Sequence, residues 1–314
     1  MNANVGVTII PDGQLVYGMQ LPVQAQSTYF VEPWERDAGA AELAAVARAA
    51  DESGFFYVAV CDHVAVPRAL AESMGTTWYD TLTTLGFLAG ITSSTRLLSH
   101  VYVLPYRNPL AAAKGFATLD AVSQGRAIAG VGAGHVAAEF ERLGIDFGRR
   151  GTSLNAAIDD LRRLLCDEWA DGDHGQRPRP IQQPRPPIWV GGSSPAAIRR
   201  AAERGDGWLP QGTLKADMPA AIDALHAYRR KAHGEPMPPI DIGAITPFLY
   251  VGEPDWDTGK QCLAGAPERI ARYLRDYGAM GVDQVQVRFR SRSVDELCDQ
   301  IRAFGANVAP LLNS

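Results

Sequence analysis

The sequence predicts a (β/α)8 barrel, also called a TIM barrel. Short apolar segments typical of buried strands alternate with longer segments of helical periodicity, and this alternation occurs eight times along the chain. Strands separated by helices pair in parallel, because each helix carries the chain back to the start of the next strand. The 314 residues suffice for one such barrel, and we expect a single domain over residues 1–314. An open, doubly wound sheet is the alternative arrangement of the same elements.

Each predicted strand is a short apolar run, and each predicted helix carries its apolar residues on one face. The predicted strands are 16–23, 57–62, 97–105, 127–134, 188–193, 207–212, 241–252 and 283–289. The predicted helices are 35–54, 80–93, 109–126, 153–169, 195–205, 218–232, 267–281 and 294–312. The proline-rich segment 177–187 is expected to be an extended surface connection, because the alternation resumes directly after it.

Composition restricts the class of partner. A net charge of −5 at pH 7 argues against nucleic acid and against anionic membranes. The N-terminus lacks the pattern of a signal peptide, and no apolar stretch reaches the roughly 18 residues of a membrane span. The four cysteines are far apart and form no C-x-x-C pair, which indicates isolated thiols. We therefore expect a cytoplasmic protein that acts on a small molecule.

The carboxyl ends of the strands are where barrels of this kind place their active sites. Asp62 and His63 end the second predicted strand, His100 lies in the third, and His135 follows the fourth. The Asp62–His63 pair has three interpretations: a helix cap, two metal ligands, or part of an active site. The histidines lack the H-x-H or H-E-x-x-H spacing that anchors a metal, so no metal site is predicted.

Two glycine-containing segments also end at this rim. Gly191, Gly192 and Ser193 precede a predicted helix, and free N–H groups together with the helix dipole make such a turn suitable for phosphate. A plain strand-to-helix turn uses the same residue types. The segment "GVGAGH" lacks the G-x-G-x-x-G spacing of dinucleotide-binding folds. Its small residues, with Ala133 and His135 at the end, are instead expected to lie against a flat cofactor ring.

The last predicted strand, "VQVRFR", alternates. Val285, Val287 and Phe289 are expected to face the surrounding helices, and Gln286 and Arg288 the barrel interior. This places Arg288 near the mouth, where it suits an anionic group of a substrate. A solvated arginine at the rim is the alternative interpretation.

Five segments together resemble the luciferase-like monooxygenase superfamily and, within it, the branch that uses the deazaflavin coenzyme F420. They are "CDHV", "VYVLPYRNPLAAAKGFATLDAVSQGR", "GVGAGHVAAEFERLGIDFGRRG", "PPIWVGGSSPAAIRRAAERGDGW" and "VQVRFRSRS", and the resemblance covers about residues 16 to 312. It implies a barrel with the coenzyme in its mouth and the coenzyme phosphate on Gly191, Gly192 and Ser193. It further implies an acid beside the deazaflavin at Asp62, a catalytic base at His63, and a cis peptide bond behind the ring at His100–Val101.

The predicted function is transfer of a hydride between F420 and a small organic substrate. His63 would exchange a proton with the substrate, and Asp62 would orient His63 or bond to the ring system. Two alternatives share the fold: an FMN-dependent monooxygenase that uses reduced FMN and oxygen, and a non-catalytic F420 carrier. Family members that act on sugar phosphates have an acidic residue where His135 stands, so a sugar-phosphate substrate is not expected. A homodimer is the habit of the family and is an expectation here.

Overall fold

The computed structural model describes residues 5–27 and 30–313. The strands are β1 (Val16–Gln20), β2 (Tyr57–Val60), β3 (Arg96–Ser99), β4 (Tyr102–Val103), β5 (Ala127–Gly132), β6 (Ile188–Gly191), β7 (Gly207–Leu209), β8 (Asp241–Val251), β9 (Cys262–Gly265) and β10 (Gln284–Phe289). They pair in parallel in the order β10-β1-β2-β3-β5-β6-β7-β8, with β4 on β5, and β10 also pairs with β8. This last pairing closes the sheet, which confirms the predicted (β/α)8 barrel.

Helices surround the barrel and connect successive strands. They are α1 (Ala40–Glu52), α2 (Ala71–Met74), α3 (Thr81–Ala89), α4 (Pro109–Val122), α5 (Ala137–Arg142), α6 (Arg150–Cys166), α7 (Pro195–Arg204), α8 (Met218–His233), α9 (Pro267–Ala279) and α10 (Val294–Ala303). Short helices α2 and α5 lie in the connections that follow β2 and β5, where no helix was predicted. Both belong to the loops at the carboxyl ends of the strands, so they shape the mouth.

Two features of the sheet were not predicted: the division of the third predicted strand and an additional strand beside the seventh, whose predicted bounds, 241–252, are otherwise confirmed. The third, 97–105, is divided into β3 and β4, because the segment His100–Val101 between them leaves the ladder. The seventh, observed as β8, is 11 residues long, and its last four residues pair with the additional strand β9. A strand longer than the barrel wall leaves backbone groups without partners beyond the wall, and β9 satisfies them.

The buried side chains form two layers of hydrophobic core, one outside and one inside the barrel. The outer core lies between strands and helices and includes Val285, Val287 and Phe289 of β10, which confirms the predicted alternation of that strand. The inner core fills the barrel and includes Tyr57 and Trp189. The residues of β10 that alternate with these three are polar, and they face the interior of the barrel.

The end of the barrel opposite the mouth is closed by the N-terminal segment. The backbone N–H groups of Ile9 and Ile10 donate to the carboxylate of Asp241, and Ile10 packs in the inner core. Gly6 and Val7 donate in the same way to Asp206. Residues 6–10 thus cover this end of the barrel, and the opposite end, at the carboxyl ends of the strands, is where a ligand is expected.

Asp206→Ala is expected to lower the free energy of unfolding by about 3–5 kcal/mol. The side chains of Asp206 and Arg185 are both 0% exposed and joined by two hydrogen bonds of 2.6 and 3.1 Å. Asp206 also accepts N–H groups of Gly6, Val7 and Ile188. The substitution removes the carboxylate that balances the charge of the buried guanidinium and accepts the three N–H groups. Urea denaturation followed by circular dichroism measures the loss.

The matched control is Asp299→Ala on α10. Asp299 is also paired with an arginine, Arg302, but both side chains are more than half exposed, and such surface pairs contribute little. We expect no measurable change in its urea midpoint. Equal shifts in the two variants would mean that burial does not determine the contribution of the Asp206 pair.

Candidate active site

Asp62 lies at the end of β2 and is almost fully buried. Its carboxylate accepts the N–H of Val103 at 2.7 Å and forms a bidentate pair with Arg107, in which Nη2 lies 2.8 Å from Oδ1. The guanidinium of Arg107 also stacks on the ring of Tyr102, 4.1 Å from its centroid. Asp62 thus fixes β4 and Arg107. It does not orient His63, which was one of the two roles expected of it.

His63 is held instead by Glu139 of α5. Nδ1 of His63 lies 2.7 Å from Oε2 of Glu139, whose side chain is 0% exposed. The hydroxyl of Tyr106 donates to the same oxygen, and the N–H groups of Val64 and Ala65 donate to the other. The carboxylate therefore binds both the imidazole and the backbone that follows it. An ionised carboxylate can only accept a hydrogen bond, so Nδ1–H is the donor and Nε2 of the neutral imidazole carries the free lone pair.

The ionisation of Glu139 follows from these contacts. Burial raises the pKa of Glu139, but the hydrogen bonds from His63, Ala65 and Val64 outweigh it and hold that pKa at about 2. Glu139 is therefore an anion at neutral pH.

The surroundings of His63 form a cleft. The ring centroid of Trp78 lies 4.3 Å from that of His63, and the ring of His135 lies 5.4 Å away, both edge-to-face. Burial and the neighbouring His63 lower the pKa of His135. The cleft is open to solvent, has a volume of about 390 Å³, and is lined by His63, Val64, Trp78, Asp80, Tyr106, Arg107 and Leu143. This volume lies in the range that accommodates a small organic molecule.

The segment between β3 and β4 forms part of the inner wall. The peptide bond between His100 and Val101 is cis, as the resemblance implied. The side chain of Val101 fills the space beside Gly132 and Gly191, where an added Cβ would come within 2.4 Å of it. The glycines at these two positions therefore allow the segment to pack into the barrel. Ala133, in contrast, packs against the outer core.

His100 is buried under the mouth. Its Nδ1 accepts a hydrogen bond from Nε2 of Gln286 at 2.7 Å, across the barrel from β3 to β10. Burial, with the charge of Arg288, lowers the pKa of His100 to about 4, so the imidazole is neutral. Arg288 itself is half-buried, and its guanidinium lies 4.3 Å from the centroid of the Phe30 ring.

The glycine turn after β6 lies at the start of a helix, as predicted. Gly192 has a φ of +112°, and Ser194 caps α7 by accepting the N–H of Ala197. The hydroxyl of Ser193 donates to the carbonyl of Gln211 and accepts from the hydroxyl of Thr213. Ser193 thus connects the turn to the loop after β7, while backbone N–H groups of the turn and first helical turn are suited to an anion.

The structure brings together residues that the sequence interpretation did not assign to the site, above all Glu139, Arg107 and Thr213. Glu139 follows His135 by four residues within a strand-end loop, which was the available signal. No such signal existed for Arg107 and Thr213, because their hydrogen-bond partners are 45 and 20 residues away along the chain. Within residues 5–27 and 30–313, no three His, Cys, Asp or Glu side chains are grouped so as to hold a metal ion.

A parallel barrel with an imidazole–carboxylate pair, a polar inner wall and a glycine turn at one mouth is typical of enzymes that bind small molecules there. The chain belongs to the luciferase-like monooxygenase family, whose sequence model matches residues 19–258. An uncharacterized protein of Mycobacterium tuberculosis is 28% identical over 287 residues, which cover 85% of this chain and 93% of that protein.

Two solved structures share the fold. The coenzyme F420 dependent tetrahydromethanopterin reductase from Methanopyrus kandleri superposes with a TM-score of 0.69 at 20% identity, over 95% of this chain and 99% of that one. The oxygenating constituent of 3,6-diketocamphane monooxygenase from Pseudomonas putida, in complex with FMN, gives a TM-score of 0.74 at 13% identity, over 95% and 98%. The fold thus accommodates both F420-dependent reductases and FMN-binding monooxygenases. In the part of the chain described, no helix is long and apolar enough to span a membrane.

Proposed function

We propose that this protein is an F420-dependent oxidoreductase that transfers a hydride between the deazaflavin and a small organic substrate. The observation that carries the proposal is the pair formed by His63 and the buried Glu139 at the edge of the mouth. Hydride transfer to or from a carbonyl or an alcohol requires a group that exchanges one proton, and an imidazole held in one tautomer performs that exchange near neutral pH.

The residues present fit the coenzyme. The turn Gly191–Gly192–Ser193 at the start of α7 offers N–H groups and a helix dipole to a phosphate. The inner wall at His100 and Gln286 has buried polar atoms that no described residue satisfies, as expected of a surface that binds a polar ring. When bound, the deazaflavin supplies the carbon that donates or accepts the hydride.

The chain itself supplies binding, orientation and proton transfer. Glu139 fixes the ring of His63 and directs the lone pair of Nε2 away from the carboxylate, toward a substrate oxygen in the cleft. Trp78 packs edge-to-face against the imidazole and thereby limits its rotation. Asp62 and Arg107 hold β4, and with it the His100–Val101 segment, in place.

An FMN-dependent monooxygenase is the second candidate, because an FMN phosphate would use the same turn. The two are separated by fluorescence titration of the purified protein with F420 and with FMN. We expect saturable binding of F420 and binding of FMN at least about tenfold weaker, which is a difference of about 1.4 kcal/mol. Tight binding of FMN with none of F420 would replace the proposal by the second candidate.

A glycine substitution tests whether the phosphate lies on this turn. Gly192→Ala is expected to weaken F420 binding by about tenfold or more, since lost charge-assisted hydrogen bonds are each worth about 1.5–3 kcal/mol. An alanine would shift the turn for two reasons. The φ at Gly192 is +112°, which disfavours a side chain, and the added Cβ would lie 3.0 Å from the side chain of Ala197. Gly172→Ala is the matched control, because Gly172 is exposed, also has a positive φ of 73°, and lies in the connector after α6.

A further inference from the structure

Three neighbouring side chains of the inner wall each have a buried polar atom for which the described residues provide no hydrogen-bond partner. These atoms are Nε2 of His100, Oε1 of Gln286 and Nε of Arg288. His100 and Gln286 are 3% and 1% exposed. A buried polar atom left without a partner costs about 1–3 kcal/mol, so three of them side by side indicate a ligand that supplies the missing partners.

The hydrogen-bonding roles of the three atoms follow from the contacts they already make. Nδ1 of His100 accepts from Gln286, and the imidazole is neutral, so Nε2 bears the hydrogen and is a donor. The amide of Gln286 uses its nitrogen in that bond, so Oε1 is a free acceptor. Arg288 lies two residues further along the same face of β10 and adds a cation. The wall thus presents a donor, an acceptor and a cation in sequence.

Arg288 differs from two other arginines near the mouth, Arg107 and Arg290. Arg107 is paired with Asp62, and Arg290 is paired with Glu32 at 2.8 Å. For Arg288, the described residues provide no carboxylate within ion-pair distance, only the face of the Phe30 ring. Arg288 is half-buried, so its charge is partly removed from water, and this burial lowers its pKa. A partly desolvated cation without a counter-ion destabilises the site, so an anionic ligand group is expected here.

We infer that His100, Gln286 and Arg288 bind the carbonyl–NH–carbonyl edge of the flavin-type ring and that Arg288 provides the counter-charge for its reduced, anionic form. The donor, acceptor and cation complement that edge group by group. In the reduced ring, loss of the N1 proton localises negative charge on N1 and the adjacent carbonyl. The inference rests on the proposed function only in requiring a deazaflavin or flavin, and it assigns Arg288 to the cofactor, where the sequence had assigned it to an anion of the substrate.

The test compares Arg288→Gln with the wild type by anaerobic titration of the oxidised and reduced cofactor and by the reduction potential of the bound cofactor. We expect the reduced form to be weakened about tenfold more than the oxidised form, which lowers the potential by about 30 mV for a two-electron couple. Arg288→Lys retains the charge and should recover most of the potential. Gln286→Leu removes an uncharged acceptor and should weaken both forms alike.

Arg290→Gln is the matched control. It removes an arginine of the same strand end that already has a carboxylate partner, and the potential should stay at the wild-type value. If Arg288→Gln and the wild type bound both redox forms with equal affinity, the inference would be overturned. A rise in the KM for the substrate alone would also overturn it, because Arg288 would then bind the substrate and not the cofactor. Absence of F420 and FMN binding in the wild type is a different result, since it would contradict the proposed function itself.

Discussion

His63→Ala is expected to lower kcat by about 10²–10⁴-fold, the usual contribution of a positioned general acid–base. The substitution removes the imidazole that exchanges the proton, whereas the phosphate turn and the inner wall stay intact. We therefore expect the affinity for F420 to stay near the wild-type value. Steady-state kinetics with the first active substrate found, together with the F420 titration, separates the two effects.

The control for this variant is His226→Ala. His226 lies on α8, outside the barrel mouth, and its substitution should leave turnover unchanged. Normal turnover in His63→Ala would show that another group exchanges the proton. A wild-type protein that binds F420 tightly and turns over no substrate would favour the third interpretation of the sequence, a non-catalytic carrier.

Glu139→Gln is expected to reduce kcat by an amount comparable to the His63 substitution, although it changes only a few atoms. The carboxylate accepts from Nδ1 of His63, while a glutamine nitrogen at that oxygen's position would donate to Nδ1. The hydrogen of the imidazole then moves to Nε2, which can no longer act as a base. In the Ser-His-Asp triad of serine proteases, the corresponding carboxylate-to-amide substitution costs about 10⁴ in kcat for the same reason.

The fold of Glu139→Gln should persist, because the amide oxygen can still accept from Val64 and Ala65. Glu141→Gln is the matched control, since Glu141 lies on the same helix and is exposed. A kcat/KM–pH profile adds a readout that a purely structural role would not move: the shape of the profile should change in Glu139→Gln and stay as in the wild type in Glu141→Gln. Equal profiles in the two variants would exclude Glu139 as the positioning residue.

The stability of the protein at acid pH tests the hydrogen bond between Glu139 and His63. The folded-state pKa of Glu139, about 2, is below the ordinary value of 4.5, so the stabilisation is present above pH 4.5 and is lost as the pH falls toward 2. Melting curves of the wild type should therefore show a loss of stability over this interval that is smaller in Glu139→Gln. The same loss in both proteins would mean that other carboxylates account for it.

Much of the fold was predictable from local patterns. The alternation of strand-like and helix-like segments specified the barrel, because apolar periodicity depends on residues a few positions apart. The alternation in β10 likewise placed Val285 and Val287 outside and Gln286 and Arg288 inside. Helix boundaries were less accurate: the predicted helix 35–54 is observed as α1, Ala40–Glu52, preceded by the 3-10 turn Pro33–Asp37.

The interruption between β3 and β4 and the extra strand β9 could not be derived from the hydrophobic pattern alone. "LLSHVYVLP" is largely apolar, and its division depends on how Val101 packs beside Gly132 and Gly191 of two other strands. The segment of β9 is short and half-buried, and it forms a strand only because β8 extends beyond the barrel. Both features depend on neighbours that are distant in sequence.

The sequence by itself determined the barrel, the rim on which Asp62, His63 and the glycine turn lie, and the family resemblance. Only the tertiary structure decided the partners of those residues: Glu139 for His63, 76 positions away, and Arg107 for Asp62, 45 positions away. The physical reason is that strand and helix periodicity report the direction of a side chain relative to its own element. The pairing of charges across a barrel mouth depends on which loops the closed sheet brings together.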